Sequence, residues 1–374
     1  MTSNSKMYDY ICETPVVLKN IIGRRKEITR SFVDYYKNIS VEQVYIVGSG
    51  TSYHAGLAAK AYLEELLNIK VIPMYPTHFE RNEKIYNKNA LVIGVSQGGQ
   101  SLSTVAGLDS AKQRGLHTAA VSENPTALVF DHAETATRIE VNNEQCGAKT
   151  KGYAGTILTL MMMMTELALE KGILTDEKAQ VYFDRMENVI NNLENVTKAS
   201  TAWFEKIKQD FLPAKRIIVV GYDNIYADVL EGALKILETV RQGVTGYDIE
   251  EFFHGIYNSI SPDSYLFYLG SKSDYKPRTL KLIEILNEWT PHNYLIASPE
   301  GIEHPTDKDL ICHFVEDPLF SVWEYIIPLQ IVACFASQEL GINPDIPKDP
   351  QFHSRIGSKK LDGVRDNFGT KIST

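Results

Sequence analysis

The chain alternates short, wholly apolar runs with longer stretches of helical period. VEQVYIVGSG (41–50) is an apolar run ending on glycine, and SYHAGLAAKAYLEELL (52–67) behind it spaces its apolar residues as a helix does. KVIPMYP predicts a short second strand. ALVIGVSQGGQS (90–101) is a third, running into a glycine-rich turn, with LSTVAGLDSAKQRG as its helix. HTAAVSE (117–123) and TRIEVNN (137–143) predict further strands, and an apolar helix over residues 151–171 closes the series. Strands alternating with helices predict a doubly wound, mostly parallel sheet.

Residues 175–210 predict a helix with one charged face, and then the series restarts. KRIIVVGYD (215–223), SYLFYLGSKSD (264–274), NYLIASPE and ICHFVED are the new strands. IYADVLEGALKILETVRQ (225–242), LKLIEILNEW and WEYIIPLQIVACFASQELG (323–341) are the new helices. Gly48, after the first strand of the first series, matches Gly221, 173 residues on; Ser96 matches Ser271, 175 residues on. This internal repeat predicts two similar α/β domains, each a flavodoxin-like three-layer αβα unit with a parallel sheet. The expected boundaries are a lead helix over 1–30, a first domain over 31–195, a second over 196–342 and a tail over 343–374. Ile11, Val16, Leu18, Ile21 and Ile22 are the apolar positions of the lead helix, around Pro15. The tail is rich in Pro, Lys and Ser, and is expected to drape irregularly over the surface.

Composition narrows the function. The 374 residues carry 38 Lys and Arg against 47 Asp and Glu, a net charge of −9, which argues against a general nucleic-acid binder. Net acidity does not exclude a small anionic ligand, because a local nest of backbone N–H groups binds phosphate on any background. Cys12, Cys146, Cys312 and Cys334 lie far apart, and the nine histidines form no H-E-x-x-H, so no metal and no cofactor are expected. MTSNSKMYDYICETP lacks the pattern of a secretory signal. TILTLMMMMTELAL (156–169) is too short to span a bilayer and contains Glu166. A cytoplasmic protein without a membrane partner is the expectation.

Two turns carry candidate chemistry. GSGTS (48–52) and SQGGQS (96–101) each follow an apolar strand and open a helix. In a parallel sheet these turns share one edge, where unpaired N–H groups and helix dipoles favour an anion, and Ser and Thr hydroxyls add donors. Helix capping by the same residues is the alternative. Two hydroxyl-rich turns at adjacent strand ends favour phosphate. Tyr53 stands where a dinucleotide fingerprint needs its third glycine, and there is no G-x-x-x-x-G-K-[ST], which speaks against a nucleotide. Further on, Glu231, Lys235 and Glu238 in LEGALKILE fall on one helical face. By itself this spacing reads as a solvated stripe with an i,i+4 pair; beside a ligand crevice it reads as a general base next to a lysine. EEFFHG (250–255) places His254 in a turn after a glycine-rich stretch, of interest only if it meets Glu238.

Together these motifs resemble the sugar isomerase (SIS) family over nearly the whole chain, and most closely its double-SIS members. The nearest patterns are the isomerase half of glutamine:fructose-6-phosphate amidotransferases and the fructosamine- and glucoselysine-6-phosphate deglycases. YICETPVVLKNIIGR (10–24) resembles the family's lead helix, GTSYHAG (50–56) its first phosphate turn, and SQGGQS its S-Q-S-G-E-T turn. EQCGAKTK (144–151) resembles its E-I-x-x-A-S-T-K loop, and LEGALKILE with the E-F-x-H-G around His254 its catalytic helix and turn.

The resemblance implies that Ser52, Ser96, Gln97 and Ser101, with Gly50, Thr51 and Gly98 in the same turns, hold a sugar phosphate. It implies Glu238 as the base between C1 and C2, and His254 as the ring-opening acid/base supplied across a homodimer interface. Glu231 and Lys235 match supporting positions, and Ala148 the backbone that contacts the sugar. There are departures. Gly98 replaces a phosphate-binding serine, and a protein without the glutaminase half and its nucleophilic cysteine is the expectation. Counting from Asp349-Pro350, Arg355 occupies the place of the family's tail lysine, with Lys359 and Lys360 a few residues later. A guanidinium cannot form that lysine's imine. The expected function is a glutaminase-independent phosphosugar isomerase or deglycase, working by C1–C2 proton transfer on an (amino-)hexose 6-phosphate. The alternative is a non-catalytic, phosphosugar-binding regulatory protein.

Overall fold

A parallel strand covered by helices on both faces has no polar side, so the apolar runs of the sequence become the central strands. The computed structural model describes residues 5–359. The first helices are α1 (Lys6–Gly23) and α2 (Arg25–Tyr36). The first sheet is built from β1 (Gln43–Val47), β2 (Lys70–Met74), β3 (Ala90–Val95), β4 (His117–Ser122) and β5 (Thr135–Arg138). Between and after them run α3 (Thr51–Leu67), α4 (Pro76–Arg81), α5 (Leu102–Gln113), α6 (Leu128–Asp131) and α7 (Lys151–Glu170). The long α8 (Asp176–Phe211) leads to β6 (Arg216–Gly221), β7 (Gly243–Asp248), β8 (Ser264–Gly270), β9 (Asn293–Ala297) and β10 (Leu310–Ile311). Their helices are α9 (Tyr226–Val240), α10 (Ile249–Phe253), α11 (Lys276–Leu286) and α12 (Val322–Glu339), with α13 (Phe352–Arg355) in the tail.

Among the described residues these strands form two parallel five-stranded sheets, ordered β2-β1-β3-β4-β5 and β10-β9-β8-β6-β7. Counted from the first strand of each series, both orders are the same, so the sequence repeat is a repeat of topology. In each sheet the chain's direction of travel reverses beside the first strand, between β1 and β3 and between β6 and β8. These are the switch points where an open α/β sheet leaves a crevice at its carboxyl edge. The chain divides into two compact units, Val16–Asp184 with the stretch from Lys348, and Arg185–Pro347 with the stretch up to Pro15.

Packing explains several sequence choices. In the first unit α7 lies against α2 and α3, with Met161, Met162, Met163 and Met164 wholly buried. α7 is long and apolar enough to cross a membrane by length and composition, but 94% of its apolar window is buried inside the protein, as befits a core helix. In the second unit α9 packs on α12, where a Cβ at Gly232 would lie 2.1 Å from Leu329 Cδ1. The core of that unit includes Ile218, Val220, Leu266, Tyr268 and Leu295.

Some expectations shift. The strand expected at 137–143 lies at Thr135–Arg138 with alternating burial, and Asn142 and Asn143 beyond it adopt left-handed backbone that ends extended structure. β7 was not anticipated. It is an edge strand, half exposed and with two glycines, so it lacks the apolar signature; Gly246 is needed because a Cβ there would stand 2.9 Å from the Val229 carbonyl oxygen. The run ICHFVED contributes only its first residue, Ile311, to the two-residue β10. The tail is not wholly irregular: it contains α13, and Lys359 makes an antiparallel bridge with Ser101. Lys360 lies outside the described residues.

Candidate functional site

The first-unit switch point holds both hydroxyl-rich turns. Gly48 N–H donates to the Met74 carbonyl, which closes the end of β1 onto β2. Gly50 then turns the chain at φ 55° into α3, as its N-cap, and no side chain caps that helix. Ser52 sits inside the first turn of α3. It is 9% exposed, and Ser96, at the end of β3, is 7% exposed. Among the described residues neither hydroxyl has a hydrogen-bond partner, although both residues are buried. Capping therefore does not account for Ser52 or Ser96. It does apply to Ser101, the N-cap of α5, whose Oγ accepts from Thr104 N–H at 3.4 Å and from the Thr104 hydroxyl at 3.1 Å.

The β3–α5 turn also presents its backbone. Gly99 N–H returns to the Ser96 carbonyl, and Gly99 has φ 78° where a Cβ would meet Ala127 Cβ at 2.3 Å. The N–H groups of Gln97, Gly98, Gln100 and Ser101 have no partner among the described residues. Such a run of open donors at a helix start is an anion nest. At Gly98 a Cβ would meet nothing within 4 Å, so the missing serine of this turn reflects no steric need. The side chain of Gln97 points elsewhere: its Nε2 donates to Glu123 Oε2 at 3.1 Å and to Glu144 Oε2 at 3.4 Å. Glu123 and Glu144 were not singled out from the sequence, because only folding brings them to a turn 26 and 47 residues away. Burial pushes the Glu123 carboxyl up, and Lys149 partly offsets it. Ala148, in the same loop, is buried.

The matching edge of the second unit is different. Tyr222 hydroxyl donates to the Ser271 carbonyl at 2.7 Å, and Ser273 hydroxyl donates to Asp223 Oδ2 at 2.5 Å. Lys272 N–H donates to Glu316 Oε2 at 2.8 Å. Carboxylates take the Lys272 N–H and the Ser273 hydroxyl here, whereas at the β3–α5 turn they take the Gln97 side-chain amide and leave the backbone donors of Gln97 and Gly98 open.

The second unit carries the charged triad. The stripe on α9 is not solvated: Glu231 is 0% and Lys235 1% exposed, while the Glu238 side chain is 36% exposed. Lys235 Nζ lies 3.3 Å from Glu231 Oε1 and 2.7 Å from Glu238 Oε2. Burial alone would push the ammonium down; the two carboxylates outweigh it and hold it above its ordinary value. His254 is exposed at the C-cap of α10, where its Nδ1 donates to the Glu250 carbonyl at 2.7 Å. That bond leaves Nε2 as the basic nitrogen of the neutral ring. No hydrogen bond or ion pair joins His254 to Glu238 among the described residues; Glu238 accepts from Lys235 instead. In the tail, Arg355 pairs with Asp349 at 2.6 Å and is exposed, whereas Lys359 is the residue that bridges to Ser101. Among the described residues no group of three or more His, Cys, Asp or Glu is placed to hold a metal ion.

Residues 39–169 match the SIS domain family. A solved structure from Clostridium difficile 630, assigned as a phosphosugar isomerase, superposes with a TM-score of 0.88 at 38% identity, over 95% of this chain and 99% of that one. The chain belongs to the SIS-domain family. A second solved structure, from Salmonella typhimurium LT2 and assigned as a sugar-binding protein, gives a TM-score of 0.77 at 33% identity, over 88% of this chain and 99% of that one. Among curated proteins, the glutamine–fructose-6-phosphate aminotransferase of Clostridium acetobutylicum is 28% identical over 312 residues, 83% of this chain and 51% of its own length. The SIS chain thus spans about half the length of the curated relatives it matches. Its two parallel sheets each fit the SIS fold.

Proposed function

We propose that this SIS protein is a cytoplasmic enzyme that isomerises or deglycates an (amino-)hexose 6-phosphate by moving a proton between C1 and C2. The observation that carries the reading is the pair of hydroxyls of Ser52 and Ser96 at one switch point, on two largely buried residues and without a partner among the described residues, beside four open N–H groups. A phosphate supplies the acceptors that those donors lack, with Thr51 and Ser101 at its edges. Glu238 is the base. It is the partly exposed member of the triad, and the ammonium of Lys235, 2.7 Å away, orients its carboxylate. Glu231 holds Lys235 in place. His254 assists ring opening and comes from the second copy of a homodimer, and the backbone at Ala148 faces the sugar.

The chemistry needs no glutamine. Proton transfer yields an enediol from a ketose phosphate, or an enamine from an Amadori-type substrate. In the second case the derived imine takes up water and splits into an aldose 6-phosphate and a free amine. The test is incubation, without glutamine, with fructose 6-phosphate plus ammonia, glucosamine 6-phosphate, and fructoselysine and glucoselysine 6-phosphates, read by phosphorus NMR. Turnover of one of them supports the reading. Tight binding of a sugar phosphate without turnover of any of them would leave a phosphosugar-sensing role, and no binding would overturn both.

A further inference from the structure

We propose that Glu144 is a positioning residue for the anion-binding turn between β3 and α5, acting through the side chain of Gln97, with Gly152 as its steric counterpart. The inference rests on the phosphate reading of that turn. Glu144 is 1% exposed, and both its oxygens are filled. Oε1 accepts from Thr150 N–H at 2.6 Å and from the Thr150 hydroxyl at 2.8 Å. Oε2 accepts from Gly152 N–H at 2.9 Å and from Gln97 Nε2 at 3.4 Å. Its backbone N–H donates to Glu123 Oε1, and its carbonyl accepts from Lys149 Nζ. One buried residue therefore ties the end of β4, the start of α7 and the phosphate turn together.

A carboxylate suits this place for a physical reason. Thr150, the N-cap of α7, makes no side-chain cap bond to its helix, so the first N–H groups of a 20-residue helix need an outside acceptor. The helix dipole favours a negative charge there. The same carboxylate, with Glu123, takes the Gln97 amide nitrogen. The Gln97 carbonyl is pinned as well, by Glu123 N–H at 3.0 Å and by the Ser122 hydroxyl at 3.0 Å. Side chain and backbone of Gln97 are both held, and its own N–H and that of Gly98 are left for a ligand.

Two features show that this orientation is selected over simple packing. Gln97 Oε1 is buried without a partner among the described residues. Burying an acceptor unpaired costs stability, yet the flipped amide would point that oxygen at two carboxylates. Gly152 is the second feature. A Cβ there would lie 1.7 Å from Gln97 Nε2 and 2.5 Å from its Cδ, so only glycine lets the amide rest against the start of α7.

The experiment titrates inorganic phosphate into the full chain by calorimetry and records the backbone amide resonances of Gln97 and Gly98. Glu144→Gln is expected to weaken phosphate on the order of tenfold, as when one hydrogen bond to a charged group is lost. The Gln97 and Gly98 amides should shift even without phosphate, a signature that general loosening of a distant core would not give. Gly152→Ala leaves Glu144 intact and favours the helix, so it tests the same idea if Glu144→Gln folds poorly. It should reproduce the weakening, and the double variant should be no worse than the stronger single one. Wild-type phosphate affinity in folded Glu144→Gln and Gly152→Ala, with Ser96→Ala weakened, would overturn this inference and leave the phosphate reading standing. Absence of phosphate binding by the wild-type chain, with Ser96→Ala unchanged, would overturn both.

Discussion

Replacing Lys235 with methionine tests what holds the α9 triad in the core. Methionine keeps much of the side chain's volume, so the change removes a charge with little loss of packing. Glu231, fully buried, is left without its ammonium. At an effective dielectric of about 20, a unit charge at the observed 3.3 Å is worth about 5 kcal/mol. Glu238 is 36% exposed, so water screens much of its share. Removing one partner of a buried pair costs about 3–5 kcal/mol, and we expect a loss of that size at neutral pH, read from the urea unfolding midpoint and slope. The pH dependence separates charge from packing. In the wild type the ammonium's raised value places its stabilisation below the unfolded lysine value of about 10.4, to be lost only as pH climbs through the higher folded value. In the variant, burial favours the neutral form of Glu231, so the deficit should shrink as pH falls towards the ordinary carboxyl value of about 4.3. Converting Glu231 to methionine as well should recover most of the loss. A deficit below about 1 kcal/mol, the range of an exposed pair, or one independent of pH, would refute the argument that a buried charge is at stake.

Three further outcomes are expected. Glu238→Gln should lower turnover of whichever sugar phosphate is processed by about 10²–10⁴-fold with little change in its dissociation constant; unchanged kcat would remove Glu238 as the base. Gly98→Ser should tighten phosphate binding, because its Cβ enters open space and its hydroxyl adds a donor; calorimetry showing weaker binding would mean that the nest needs a bare backbone there. The Glu324 carboxyl is pushed up to about 7, chiefly by burial, against the donors Asn192 and Val315 N–H. Its folded value exceeds the unfolded one of about 4.3, so this group should make stability fall as pH rises from about 4 to about 7 and then level off. Glu324→Gln should flatten that slope in urea midpoints taken across the range.

The residue pairs that carry the chemistry differ in how far apart they lie along the chain, and this decides what a single sequence discloses. Ser52 and Ser96 were legible because each sits in a glycine-containing turn behind an apolar strand, and the parallel topology alone sets such turns on one edge. Their lack of partners was not legible, since the capping alternative could be weighed only once Gly50 was seen to be the N-cap of α3. The spacing of Glu231, Lys235 and Glu238 disclosed a shared helical face but pointed equally to a solvated stripe. Packing of α9 on α12 decided for burial. Glu123, Glu144 and Gly152 carry no local signal for their contacts with Gln97, and β7, with its two glycines, hid because an edge strand need not be apolar.

The sequence by itself determined the repeat, the parallel αβα layers, the places of the two turns and the helical face of the triad. These rest on periodicity and on backbone preferences that act over a few residues. Tertiary structure decided which donors meet carboxylates at the two edges: Asp223 and Glu316 take the Ser273 hydroxyl and the Lys272 N–H at one, while at the β3–α5 turn Glu123 and Glu144 take the Gln97 side-chain amide and leave the backbone N–H groups of Gln97 and Gly98 open. It also decided which charges lose their water. Burial and long-range hydrogen bonds depend on what the rest of the chain places nearby, and no local pattern encodes that.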